Sequence, residues 1–75
     1  MQSITTETAQ QIAVEYLKRK KNLDKIDVSI VEKKADAWVV RGTCPIDLEG
    51  HPWAEKFAVI IDVKGKVKSI DFSLL

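Results

Sequence analysis

The sequence predicts an α+β protein in which an N-terminal amphipathic helix packs on one face of a four-stranded antiparallel meander. Apolar residues recur at helical spacing only near the N-terminus, and from residue 26 onward they recur at every second position. Gly65 then supplies the tight turn of a C-terminal hairpin. Because 75 residues suffice for one small core, we expect a single domain over residues 1–75.

The helix is predicted over residues 6–21. Thr5 precedes it and offers a hydroxyl to the free N–H groups of the first turn, where Glu7 suits the positive end of the helix dipole. The basic run Lys18–Lys21 suits the opposite end, and we expect Asn22 to cap it. The apolar stripe that faces the sheet consists of Ala9, Ile12, Ala13, Tyr16 and Leu17.

Alternation of apolar and polar residues predicts the strands. The four strands are expected over residues 26–33, 37–44, 56–63 and 67–74. Pairing Ile30 with Val40 sets Val28 opposite Gly42. The even-numbered residues of the first two strands would then lie together under the helix.

The segment from Pro45 to Ala54 is predicted to be a long loop, because Pro45 and Pro52 fit poorly inside a central strand. We expect Trp53 to pack over the sheet edge. The alternative is an exposed anchor, since tryptophan is enriched among the residues that dominate binding at interfaces.

The last hairpin has two possible registers. A turn with a glycine bulge pairs Ile61 with Val67 and then requires a second bulge near residues 68 and 69. A plain two-residue loop needs no second bulge but leaves Val67 on the face away from the helix. Both registers set Phe57 opposite Phe72.

Two segments of the sheet are apolar on both faces. The run Phe57–Ile61 has five successive apolar residues, and Trp38–Val40 has three. Such runs indicate that both faces leave water, whereas one helix covers only one face. We therefore expect a protein surface to cover the second face, most simply a second copy in a homodimer. The predicted interface residues are Val31, Ala37, Val39, Ala58 and Ile60.

Composition argues against several function classes. A net charge of +1 argues against a dedicated nucleic-acid binder. The sequence has no apolar run long enough to span a membrane and no signal peptide, and its single cysteine excludes a disulfide within the chain. We expect a cytoplasmic protein without a cofactor.

One loop carries the residues that are chemically most reactive. Cys44 and His51 flank it, and as a catalytic pair they would need an orienting carboxylate such as Asp47 or Glu49. The simpler interpretation is a buried cysteine at a strand end and an exposed histidine in a turn. The same four residues lack a recognised zinc spacing, so no metal site is predicted.

The segments ITTETAQQIAVEYL and FAVIIDVKGKVKSIDF resemble the small cystatin-like domains. The resemblance is greatest to the PepSY-type branch, in which a helix precedes strands that end in a glycine hairpin. It implies a binding or inhibitory module of the kind attached to peptidases and membrane proteins. Cystatins inhibit papain-like proteases through two hairpin loops. Pro52-Trp53 matches the Pro-Trp pair of one loop, but Lys33–Asp36 lacks the Gln-x-Val-x-Gly motif of the other.

The sequence therefore favours a non-enzymatic interaction module that self-associates, or binds another protein, through the uncovered sheet face. The alternatives are a small thiol-dependent enzyme that uses Cys44 and His51, and a module that resembles a peptidase inhibitor.

Overall fold

The computed structural model describes residues 4–21, 25–48 and 50–74, and it leaves the side chains of residues 46–48 and 51 undescribed. The elements are α1 (Thr6–Lys21), β1 (Asp27–Lys33), β2 (Ala37–Leu48), β3 (His51–Asp62) and β4 (Val67–Leu74). The strands form one antiparallel sheet in the order β1-β2-β3-β4, and α1 packs on one face. This is the predicted α+β arrangement. We call the face opposite α1 the outer face.

The helix begins where its capping residue predicts. The Thr8 N–H donates to Thr5 Oγ1 over 3.2 Å, and the Ala9 N–H donates to the Thr5 carbonyl over 2.9 Å. The first bond satisfies a donor that the first turn would otherwise leave free, and the second is the first backbone bond of the helix itself. Asn22, the predicted C-cap, lies outside the described residues.

The core lies between α1 and the adjacent face of the sheet. Ala9, Ala13 and Leu17 recur every fourth residue and are fully buried. The small alanines let the helix approach the strands closely, and Leu17 fills the space beyond them. The other buried members of the cluster are Trp38, Val40, Cys44, Phe57, Val59 and Ile61.

The pairing of β1 with β2 contains a bulge that the alternation did not predict. Val28 pairs with Gly42 as expected, but the register then shifts, so that Val31 and not Ile30 pairs with Val40. The shift moves Ile30 off the core face and brings Val31 under the helix. Ile30 and Val31 are both apolar, so composition alone fits either register.

The predicted loop from Pro45 to Ala54 is instead an extension of the β2–β3 hairpin. Pro45 pairs with Ala54, and Asp47 pairs with Pro52. The pairing of β1 ends at Thr43 and that of β4 at Glu55, so residues 45–48 and 51–54 form a two-stranded ribbon with two open edges. Proline is tolerated at such edges because a missing N–H costs no ladder bond there.

The last hairpin adopts the register with two bulges. The Asp62 N–H donates to the Lys66 carbonyl over 2.8 Å, and Gly65 has a φ of 95°. A left-handed residue at this position closes a type I turn with a glycine bulge. Ile61 then pairs with Val67, and a second shift follows between Ile60 and Ile61. Val67 consequently packs against the core.

The carboxylate of Asp62 stabilises this turn. Its Oδ1 accepts hydrogen bonds from the N–H groups of Lys66 and Lys64, each over 2.9 Å. The bond from Lys66 is the main reason that the pKa of Asp62 lies below its ordinary value. Desolvation opposes that shift, and the bond from Lys64 adds to it.

A lowered pKa in the folded state predicts a dependence of stability on pH. The contribution of Asp62 is present above the unfolded-state pKa, near 3.9, and is lost as the pH falls through the folded-state value. We expect the urea midpoint of Asp62→Asn to fall less than that of the native protein between pH 5 and pH 2.5. Asp36→Asn, in the β1–β2 turn, is the control. If the urea midpoint fell equally for the native protein and for Asp62→Asn, this role of Asp62 would be refuted.

Candidate binding face of the sheet

Four of the five predicted interface residues lie on the outer face. Val39 pairs with Ile60 on the two central strands, as expected. Val39 is only 7% exposed and Ala37 only 8%, because the side chains around them already exclude water. Ala58 and Ile60 are half-buried. The side chains at the centre of the face are therefore less exposed to solvent in the single chain than the sequence predicts.

The predicted placement of Val31 on the outer face is wrong. The bulge in β1 turns Val31 toward the helix, where it packs against the core, and Ile30 takes its place on the outer face opposite Arg41. Ile30 is 50% exposed. A signal for this change was present in the sequence, because a glycine inside a strand often marks a bulge or a close approach of backbone. Gly42 is that residue.

Beside Ile30 the outer face contains a groove of about 440 Å³ that crosses all four strands. Thr43, Ala58 and Ser73 contribute short side chains to it, and longer side chains border them. This difference in length produces the depression. The longer bordering side chains are Ile30, Arg41, Lys56 and Asp71.

Charges of both signs surround this groove. Glu32 and Asp71 are negative, and Arg41 and Lys56 are positive. Arg41 Nη1 lies 3.7 Å from Glu32 Oε1, and both side chains are well exposed. An exposed ion pair of this kind is worth at most about 1 kcal/mol. Its members therefore remain available to a partner.

The cysteine lies on the other face of the sheet, in the core. Cys44 is 1% exposed and pairs with Glu55, whereas His51 pairs with Leu48, four residues farther along the hairpin. That separation is about 13 Å at the rise of a strand. Burial raises the pKa of the Cys44 thiol, the charge of Glu55 raises it further, and Lys21 opposes both. The side chain of His51 lies outside the described part of the structure.

A buried thiol with a raised pKa should react slowly. We expect iodoacetamide at pH 7.5 to alkylate Cys44 at least about tenfold more slowly in the folded protein than in urea, because the thiolate is scarce and covered. Mass spectrometry of quenched samples measures both rates. A folded-state rate as fast as that in urea, with an apparent pKa below 8, would instead favour the thiol-enzyme alternative.

Trp53 is exposed, contrary to our expectation that it packs over the sheet edge. Its side chain is 51% exposed on the ribbon, where the residue pairs with Ile46. The Lys33–Asp36 turn lies at the opposite end of the sheet from Pro52 and Trp53. The fold therefore does not place these two segments side by side, as the two inhibitory loops of a cystatin would require.

Comparison of the chain with protein-family models, with curated proteins and with solved structures gives no match. No helix among the described residues is long and apolar enough to cross a membrane. Functional inference consequently depends on the geometry of the faces described above.

Proposed function

We propose that the protein is a non-enzymatic interaction module that forms a homodimer through the outer face of its sheet. The observation that carries the proposal is the half-exposed Ile30 beside the groove, on a face that no described element covers. Burying the exposed part of an isoleucine and the neighbouring apolar surface is the main driving force for association.

Charge favours a second copy as the partner. A two-fold axis places the same surface on both sides of an interface, so each group must meet a complement from the same set. The outer face supplies charges of both signs for such pairs, since Arg41 and Lys56 are positive and Glu32 and Asp71 are negative. Such complementarity fixes orientation more than it adds affinity.

The size of the molecule allows an interface of ordinary area. A stable interface buries about 800 Å² on each partner. The Cα atoms span 47 by 19 Å in their two longest directions, so one face has an area of at most roughly 900 Å². Two sheets that pack face to face lie about 10 Å apart, which lets the side chains of Ile30 and Ile60 interdigitate with those of the other copy.

Sedimentation equilibrium of matched variants tests the proposal. Ile30→Lys and Ile60→Lys each place a charge on the outer face, and we expect each to raise the dimer dissociation constant at least about tenfold. Gln11→Lys adds the same charge on the exposed side of α1 and should change nothing. A native protein that remains monomeric, or variants that dimerise as well as it does, would contradict the proposal.

A further inference from the structure

A second exposed apolar surface lies on the opposite face of the sheet, beyond the end of the helix. Trp53 is 51% exposed and Leu74 is 57% exposed. With Ile30 they are the exposed large apolar side chains of the described part of the chain. Ile30 belongs to the outer face, so Trp53 and Leu74 require a separate explanation.

The strand register places these two side chains together. Leu74 pairs with Glu55 on β3, and Trp53 lies two residues before Glu55 on the same strand. Residues two apart on a strand share a face, so Trp53 and Leu74 are diagonal neighbours. The face they share is the one that α1 covers, because Phe72, two residues before Leu74, packs against the core.

The last turn of α1 stands beside this surface. Lys21 Nζ lies 3.3 Å from Glu55 Oε1, an ion pair rather than a hydrogen bond, and 4.3 Å from the centre of the Phe72 ring. The end of α1 thus lies above the sheet at Glu55 and Phe72. Trp53 and Leu74 lie on the sheet just beyond it. We call this region, consisting of Trp53, Leu74, Lys20 and Lys21, the Trp53 step.

The last turn of α1, which borders the Trp53 step, is strongly basic. All four residues of the last turn are cations and all four are exposed. By sequence, residues 18–25 hold five cations and one carboxylate. Helix-end cations suit the dipole of their own helix, but the helix dipole does not explain an exposed tryptophan and leucine next to them.

We propose that the Trp53 step binds an acidic segment of a partner protein, one whose carboxylates face Lys20 and Lys21 and whose apolar side chains cover Trp53 and Leu74. Exposed tryptophan beside cations is a composition typical of the residues that dominate binding energy. Carboxylates form charge-assisted hydrogen bonds with lysine and arginine, stronger than neutral ones. This binding surface is separate from the outer face and does not depend on dimerisation.

Two observations favour a peptide segment over other anionic partners. The helix cannot insert into a bilayer, because its apolar stripe is already buried on the sheet. A nucleic acid would need a longer basic track than one helix end supplies, in a chain whose net charge is +1.

Titration calorimetry with designed peptides tests this inference. The probe is a 14-residue peptide of glutamate, alanine and leucine, and its counterparts carry lysine for glutamate or serine for leucine. We expect the acidic peptide to bind at least about tenfold more tightly than either counterpart, and less tightly as salt rises. Vesicles that contain phosphatidylserine and a single-stranded oligonucleotide are run in parallel.

Variants of the exposed residues connect binding to the Trp53 step. Trp53→Ser and the double variant Lys20→Glu/Lys21→Glu should each weaken binding of the acidic peptide at least about tenfold, while Lys66→Glu, at the far end of the sheet, should not. Exposed positions tolerate such changes without loss of the fold. Equal binding of the acidic and basic peptides, or Trp53-dependent binding of vesicles or oligonucleotide alone, would overturn the proposal, whether or not the protein dimerises.

Discussion

Gly42→Ala should destabilise the protein by about 3 kcal/mol, because a strand backbone occupies the space that a Cβ atom needs. A Cβ at this position would overlap the Asp27 carbonyl oxygen and lie 2.9 Å from Val28 Cα. It would also lie 2.9 Å from Cζ of Phe57. Two of these three groups are backbone, so β1 would have to move away from β2.

The expected loss is a large part of the total stability. Domains of this length are stable by about 4–11 kcal/mol, at 0.05–0.15 kcal/mol per residue. Urea unfolding followed by circular dichroism measures the loss as a lower midpoint. Gly50→Ala is the control: its φ of 84° is unfavourable for alanine, but nothing lies within 4 Å of the new atom. We expect that variant to lose only about 1 kcal/mol. Equal losses would refute the close approach of β1.

Leu17→Ala should cost between about 2 and 5 kcal/mol, since it removes the largest fully buried side chain of α1. Leu17 is 0% exposed and belongs to the same cluster as Val40 and Ile61. One helix covers the core face in the described structure, so the cavity cannot be filled by a neighbouring helix.

Val14→Ala is the matched control on the same helix. Val14 is half-buried and lies off the stripe, and alanine has the higher helix propensity, so we expect a change of less than about 1 kcal/mol. Urea midpoints at one pH compare the two variants. A Leu17→Ala variant no less stable than Val14→Ala would show that the helix does not pack as described.

The helix and the last strand were predictable because each carries a local signal. Helical spacing from Ala9 to Leu17, with Thr5 before it and a basic run after it, specifies both ends of α1. Gly65 similarly specifies the β3–β4 turn. The sequence allowed two registers for that hairpin, and the packing of Val67 against the core favours the one observed.

The features that were mispredicted depend on contacts between distant segments. The bulge in β1 follows from the approach of Asp27 and Val28 to Gly42, which a reading of β1 alone does not show. The ribbon escaped prediction because proline argues against a central strand, whereas Pro45 and Pro52 lie where β2 and β3 have no other neighbours. Both errors affected the proposed binding surfaces: the first misplaced Ile30 and the second Trp53.

The most direct test of face-to-face dimerisation is the distance between spin labels on two copies. In a Cys44→Ala background, Ser69→Cys places a label at the margin of the outer face, and Gln11→Cys places one on the exposed side of α1. Sheets packed about 10 Å apart predict a mean distance below about 30 Å between the Ser69→Cys labels of the two copies. With a helix about 10 Å thick on each side, the second label should give about 40 Å or more. The absence of dipolar coupling at 100 µM, or a shorter distance from Gln11→Cys, would contradict the account.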